Sequence, residues 1–98
     1  MILQRTIEKV KPDKWAEYVA LVRQIDAAFA RLGVPPTKRY QAIAGSDAFT
    51  AVHEREWESL AAMENSRGRR QADAELQTLL SQVPAVIESH QVELYQPL

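Results

Sequence analysis

Hydrophobic residues recur along the chain with two different periods. Trp15, Tyr18, Val22, Ile25, Phe29 and Leu32 follow one another at intervals of 3, 4, 3, 4 and 3, which places all six on one stripe of an α-helix. Glu17, Gln24, Asp26 and Arg31 fall off that stripe. Pro12 suits the start of this helix, where its missing N–H leaves no bond unmade, and Asp13 adds negative charge to the first turn. Gly33 is placed to close the helix, and Pro35-Pro36 prevent it from resuming. Before the helix, the β-branched run Ile2–Val10 alternates imperfectly and predicts a first strand. After it, residues 37–44 predict a second strand, Gly45-Ser46-Asp47 a turn, and residues 49–57 a third strand completing a hairpin. Ser59 is a good N-cap for helical composition over residues 60–80, with a break expected at Asn65-Ser66-Arg67-Gly68. Pro84 ends that segment, and residues 86–95 return to strand character.

The order β-α-β-β-α-β over residues 1–98 predicts one α+β domain of ferredoxin-like form, a four-stranded antiparallel sheet with both helices on one face. The other face is then uncovered. A chain of 98 residues buries only about 60 to 68% of its extended surface, so a second subunit on the open face would help it. Helix one needs an apolar surface opposite its stripe, which assigns Leu3, Ile7, Phe49, Ala51 and Trp57 to the helix side. Alternation then turns Arg5, His53 and Arg55 under the helices, where cations need partners or a wet pocket. Gln4, Thr6, Glu8, Glu54, Glu56, Gln91 and Glu93 are left for the open face.

Composition removes several classes of function. Twelve Lys+Arg against 13 Asp+Glu give a net charge of -1, which offers no field for a phosphate backbone, so no nucleic-acid partner is expected. With no cysteine, disulfides, thiolate nucleophiles and Cys-ligated metals are out. Gly33, Gly45 and Gly68 are too far apart to form a Gly-rich phosphate loop, and no serine has a G-x-S-x-G context. No cofactor is expected. Neither a secretory leader nor an apolar run of about 18 residues is legible, so the expectation is a cytoplasmic protein with no membrane partner.

The element order, the chain length and the strand-to-helix passage Val52-His53-Glu54-Arg55-Glu56-Trp57-Glu58-Ser59-Leu60 resemble the NIPSNAP-type branch of the dimeric α/β barrels. That resemblance covers nearly the whole chain at the level of fold and rests on one short motif. It implies a homodimer whose sheets pack face to face through the open sheet faces, with a cavity in each subunit between sheet and helices. The wider superfamily includes cofactor-independent monooxygenases, isomerases, haem-binding oxygenases and members without known activity, so it assigns no reaction.

His53 and His90 are the only histidines, and His53, beside Arg55 on one side of a strand, is the candidate catalytic residue because imidazole exchanges protons near neutral pH. Arg5 and Arg55 are candidates to hold a carboxylate or enolate, Trp57 to supply an apolar wall, and Tyr18 and His90 to contact the ligand. A sheet order that puts the first strand between the third and fourth sets the two histidines at least 9 to 10 Å apart, by the strand spacing of ~4.8 Å, too far to share a metal ion directly. Each candidate has a plainer role beside the functional one: a hydrogen-bonded structural histidine, core aromatics, and a solvated face for Arg67, Arg69 and Arg70. Glu54 and Glu56, two apart on one strand face, read as solvated or interfacial charges rather than metal ligands. Two functions follow as alternatives: binding of a small aromatic or anionic molecule, with cofactor-free oxygenation or isomerisation as the chemistry, or a dimerising module without a ligand.

Overall fold

A computed structural model describes all 98 residues. β1 (Ile2–Val10) leads through a 3₁₀ turn at Pro12–Lys14 into α1 (Trp15–Arg31). The hairpin consists of β2 (Thr37–Gln41) and β3 (Thr50–Trp57), followed by α2 (Leu60–Ala72), α3 (Ala74–Ser81), a 3₁₀ turn at Val83–Ala85 and β4 (Ile87–Tyr95). The strands lie in the order β2-β3-β1-β4, all antiparallel, so the α+β, ferredoxin-like arrangement holds. α1 buries Tyr18, Leu21, Val22, Ile25 and Ala28, with Trp15, Phe29 and Leu32 packed at the margin of the core. Gly33 closes the helix at φ +75°, a conformation that costs glycine little.

The second helical segment breaks later than its sequence suggests. Gly68 lies inside α2, and the interruption falls at Asp73. Glycine inside a helix costs only about 1 kcal/mol, whereas Asp73 offers its carboxylate to the Leu76 amide at 2.9 Å and to both terminal nitrogens of Arg31 at 3.0 and 2.7 Å. That carboxylate caps α3 and ties it to the end of α1. At the other end of α2, the Ser59 hydroxyl accepts from the Ala62 amide at 3.0 Å. Ser59→Ala is therefore expected to cost about 1 kcal/mol in urea unfolding with an unchanged slope.

The facing of β1 is the main correction. Residues opposite one another across antiparallel strands share a face, and the register pairs Gln4 with Arg55, Thr6 with His53 and Glu8 with Ala51. Ala51, His53, Arg55 and Trp57 lie under the helices, as their alternation suggests. Gln4, Thr6, Glu8 and Val10 lie there with them, and Leu3, Arg5 and Ile7 face the open side. Arg5 consequently does not reach the space beneath the helices: its Nε donates to Glu54 at 2.9 Å, and its guanidinium stands 5.2 Å from the centre of the Tyr95 ring. The reason is that β1 is nearly balanced between its two sides, and polar partners decide the outcome. Glu8 accepts the Tyr18 hydroxyl at 2.7 Å and Gln4 accepts the Trp57 indole N–H at 2.8 Å, so both polar side chains are satisfied in the interior. Glu54, Glu56, Gln91 and Glu93 remain on the open face, beside Leu3, Ile7 and Val52.

A candidate ligand groove beneath the helices

The helices cover the sheet unevenly. α1 and α3 bury its centre, while the helix-side residues of β4 are left partly bare, with Val92 at 48% exposure. The uncovered strip is the floor of a groove of about 480 Å³ walled by Val22, Ile25, Phe29, Leu80 and Val83. It continues past Val92 and Arg70 into a second depression of about 470 Å³ toward Arg67 and Gln71. A register shift in the β1–β4 pairing after Lys9, which skips Glu88, allows both Ile87 and His90 to face this groove although they are three residues apart.

Glu8 is the polar centre of the groove. It is only 4% exposed, yet three groups converge on it: the Tyr18 hydroxyl at 2.7 Å, His90 Nδ1 at 3.2 Å and His53 Nδ1 at 3.7 Å. His53 Nδ1 is also 3.2 Å from an Arg39 guanidinium nitrogen, and Arg39 makes two 2.8 Å bonds to Asp26. Burial and the Arg39 charge push the His53 imidazole down from 6.5 to about 4, so the ring is neutral at physiological pH. Burial, together with the Glu8 charge, raises the Tyr18 hydroxyl well above its ordinary range, so that hydroxyl stays a donor. Tyr18→Phe removes one of the bonds that compensate a buried carboxylate and is expected to cost about 1 to 3 kcal/mol in urea unfolding.

Two arginines form the cationic end. Arg55 is 5% exposed; its Nε donates to the Pro35 carbonyl at 3.0 Å and a terminal nitrogen donates to the Thr37 hydroxyl at 2.6 Å. Its guanidinium stacks on Phe29 at 4.5 Å and lies 5.8 Å from the Trp57 ring. No carboxylate comes within ion-pair distance of it, and burial lowers the guanidinium from its ordinary range to about 10. Arg70 lies 5.8 Å from the same Trp57 ring, bonded to the Ser66 hydroxyl and the Met63 carbonyl, and burial and the neighbouring Arg67 lower it as well.

The structure thus brings His53, His90 and Arg55 into one groove and leaves Arg5 on the opposite face. Trp57 is buried at 3% exposure and touches the groove through the arginines it stacks with, and Tyr18 acts through Glu8. Glu8, Arg39 and Arg70 are the site residues that reading the sequence missed. Alternation along β1 assigns Glu8 to the open face, and the sequence groups Arg70 with exposed neighbours, although it is the one of the three arginines that stacks on Trp57.

No protein-family model and no curated protein matches the chain. Solved structures do. A NIPSNAP family protein from Agrobacterium tumefaciens superimposes with a TM-score of 0.82 at 23% identity, over 99% of this chain and 92% of that one. An uncharacterized NIPSNAP domain protein from Burkholderia xenovorans gives 0.85 at 12% identity, over 100% and 95% of the two chains. An antibiotic biosynthesis monooxygenase gives 0.76 at 16% identity, over 100% and 99%. The chain therefore has the fold of the NIPSNAP proteins and of the antibiotic biosynthesis monooxygenase-like α/β proteins. At these identities the likeness is one of fold.

Proposed function

We propose that this protein is a homodimer that binds a small molecule with an apolar or aromatic body and an anionic group in the groove between sheet and helices, and transforms it without a cofactor by isomerisation or oxygenation. The observation that carries the reading is Arg55, a guanidinium buried without a carboxylate partner beside the apolar wall of the groove. Burying an uncompensated charge is costly, and a ligand carboxylate or enolate would supply the missing partner. Phe29, Val22, Ile25 and Leu80 give the apolar contact that orients the rest of the molecule. An antibiotic biosynthesis monooxygenase among the neighbours of this fold supports oxygenation as one such chemistry.

Dimerisation through the open sheet face is part of the same proposal, supported by Leu3, Ile7 and Val52 on that face between charged residues that can pair across it. Native mass spectrometry of freshly purified protein, followed by a denaturing spectrum, tests both parts. A dimer with extra mass that disappears on denaturation is expected. Bare dimers leave a ligand-free dimerising module, and a monomer overturns the interface. Ile7→Glu on the open face is expected to convert the dimer to monomers in sedimentation at micromolar concentration.

A further inference from the structure

We propose, resting on the ligand-binding reading above, that the groove holds a matched base and hydrogen-bond donor for proton transfer next to a carbonyl: His90, oriented by Glu8, is the base, and His53, fixed by Arg39, is the donor to the developing oxyanion. Which ring nitrogen remains free carries the argument. A carboxylate only accepts, so His90 Nδ1, 3.2 Å from Glu8 Oε2, bears the hydrogen of the neutral ring, and Nε2 keeps its lone pair. That nitrogen has no protein partner, and His90 is half exposed on the groove. A guanidinium only donates, so His53 Nδ1, 3.2 Å from Arg39, is the acceptor, and its hydrogen is on Nε2. His53 Nε2 also lacks a protein partner, and no fully buried side-chain polar atom in the protein is unpaired, so this N–H opens to the groove. One carboxylate and one guanidinium have given two neighbouring histidines opposite polarity toward the same space.

The roles differ from those the sequence suggests, where His53 alone was to exchange protons. His53 is locked as a donor because Arg39 occupies its basic nitrogen and is itself held by Asp26 at 2.8 Å. His90 has the arrangement of a general base, with a buried acceptor behind it to steady the imidazolium once it forms. The Tyr18 hydroxyl, at 2.7 Å from the other Glu8 oxygen, keeps that carboxylate from rotating away. His53 and His90 belong to β3 and β4, which flank β1, and lie opposite Thr6 and Glu8 respectively. Their Cα atoms are consequently about 12 Å apart by strand spacing and rise, and both rings reach inward to one carboxylate, His90 Nδ1 at 3.2 Å and His53 Nδ1 at 3.7 Å from Glu8.

The fitting substrate class is a 2-oxo acid with an apolar or aromatic body. Its carboxylate would pair with Arg55 and Arg70, and its carbonyl oxygen would accept from His53. His90 Nε2 takes a proton from the carbon beside the carbonyl; the C–H electron pair becomes the C=C bond, and the carbonyl π pair moves to oxygen as an enolate. His90, now an imidazolium beside Glu8, returns the proton to the enolate oxygen or to a carbon further along the conjugated system. The result is a tautomer or a double-bond isomer, with no electron gained or lost.

Two measurements test the proposal. In ¹⁵N imidazole NMR spectra at neutral pH, His90 is expected as the Nδ1–H tautomer and His53 as the Nε2–H tautomer, with Glu8→Gln scrambling His90 and leaving His53 in place. Deuterium exchange into the C3 position of phenylpyruvate in D₂O, followed by ¹H NMR, is expected to run well above the buffer rate with wild-type protein. His90→Gln should lower that rate by at least ~100-fold; Glu8→Gln should lower it by at least ~10-fold while binding persists, and Glu8→Asp should recover part of the loss. A wild-type His90 found as the Nε2–H tautomer overturns the assignment of base and donor. Phenylpyruvate bound without exchange overturns the proton transfer but leaves the ligand groove standing, whereas no binding at millimolar concentration overturns the aromatic-acid reading on which the proposal rests.

Discussion

Arg55→Met is expected to weaken binding of an anionic ligand by roughly 30-fold or more while leaving the free protein within about 1 kcal/mol of wild-type stability. Two opposing effects set the stability. The substitution forfeits the bonds to Pro35 and Thr37 at 3.0 and 2.6 Å, and it removes the desolvation of a cation that is 5% exposed and has no carboxylate in ion-pair contact. Methionine keeps apolar contact with Phe29 and Trp57. Breaking a buried ion pair that existed for structure would instead cost about 3 to 5 kcal/mol, because a charge would be left behind. For the ligand the balance is different, since a desolvated carboxylate that loses its guanidinium forfeits about 2 to 5 kcal/mol, roughly 30-fold or more in affinity. Titration calorimetry with phenylpyruvate and urea unfolding separate the two quantities. A loss of several kcal/mol in stability with affinity unchanged would mean that Arg55 belongs to the scaffold and that the groove does not select anions.

How much of this was legible in the sequence follows from how strongly each element was specified. α1 carried a stripe of large apolar residues with firm signals at both ends, so its span and facing were readable. β3 places Ala51, His53, Arg55 and Trp57 on one side, and the two aromatic and aliphatic members settle which side is inward. β1 offers no such asymmetry. Its buried side is Ile2, Gln4, Thr6, Glu8 and Val10 and its open side is Leu3, Arg5, Ile7 and Lys9, so apolar content alone does not decide the facing, and a shift of one residue exchanges every side chain. What decides the matter is long-range: Tyr18 on α1 and Trp57 on β3 supply the donors that make Glu8 and Gln4 acceptable in the interior. The site was missed at Glu8 for that reason. A carboxylate whose partners come from three other elements has no local signature, whereas the histidines and Arg55 stood out by chemistry alone.

Lowering the pH from 7 to 4 is expected to cost the folded protein about 3 kcal/mol through His53 alone. Burial, then the Arg39 charge, holds the folded imidazole at about 4 against its ordinary 6.5. Between those values the unfolded chain binds a proton that the folded chain refuses, so stability falls as the pH drops through that window and this contribution is constant above and below it. Protonation would put a hydrogen on Nδ1 against the Arg39 N–H at 3.2 Å, and the nearby Glu8 carboxylate at 3.7 Å offsets only part of that repulsion. Asp73, lowered from 3.8 by its bonds to Arg31, also loses its contribution in acid, but below the window in which His53 acts. Urea midpoints at pH 7.5, 5.5 and 4.2 for wild type and His53→Gln isolate the effect, because glutamine can still accept from Arg39 and has no proton to gain. The variant should flatten the slope by close to one proton only in the middle of this range, near pH 5. Equal slopes would mean that His53 takes up its proton in the folded protein at an ordinary pH, and Arg39 would then not be holding it as a fixed donor.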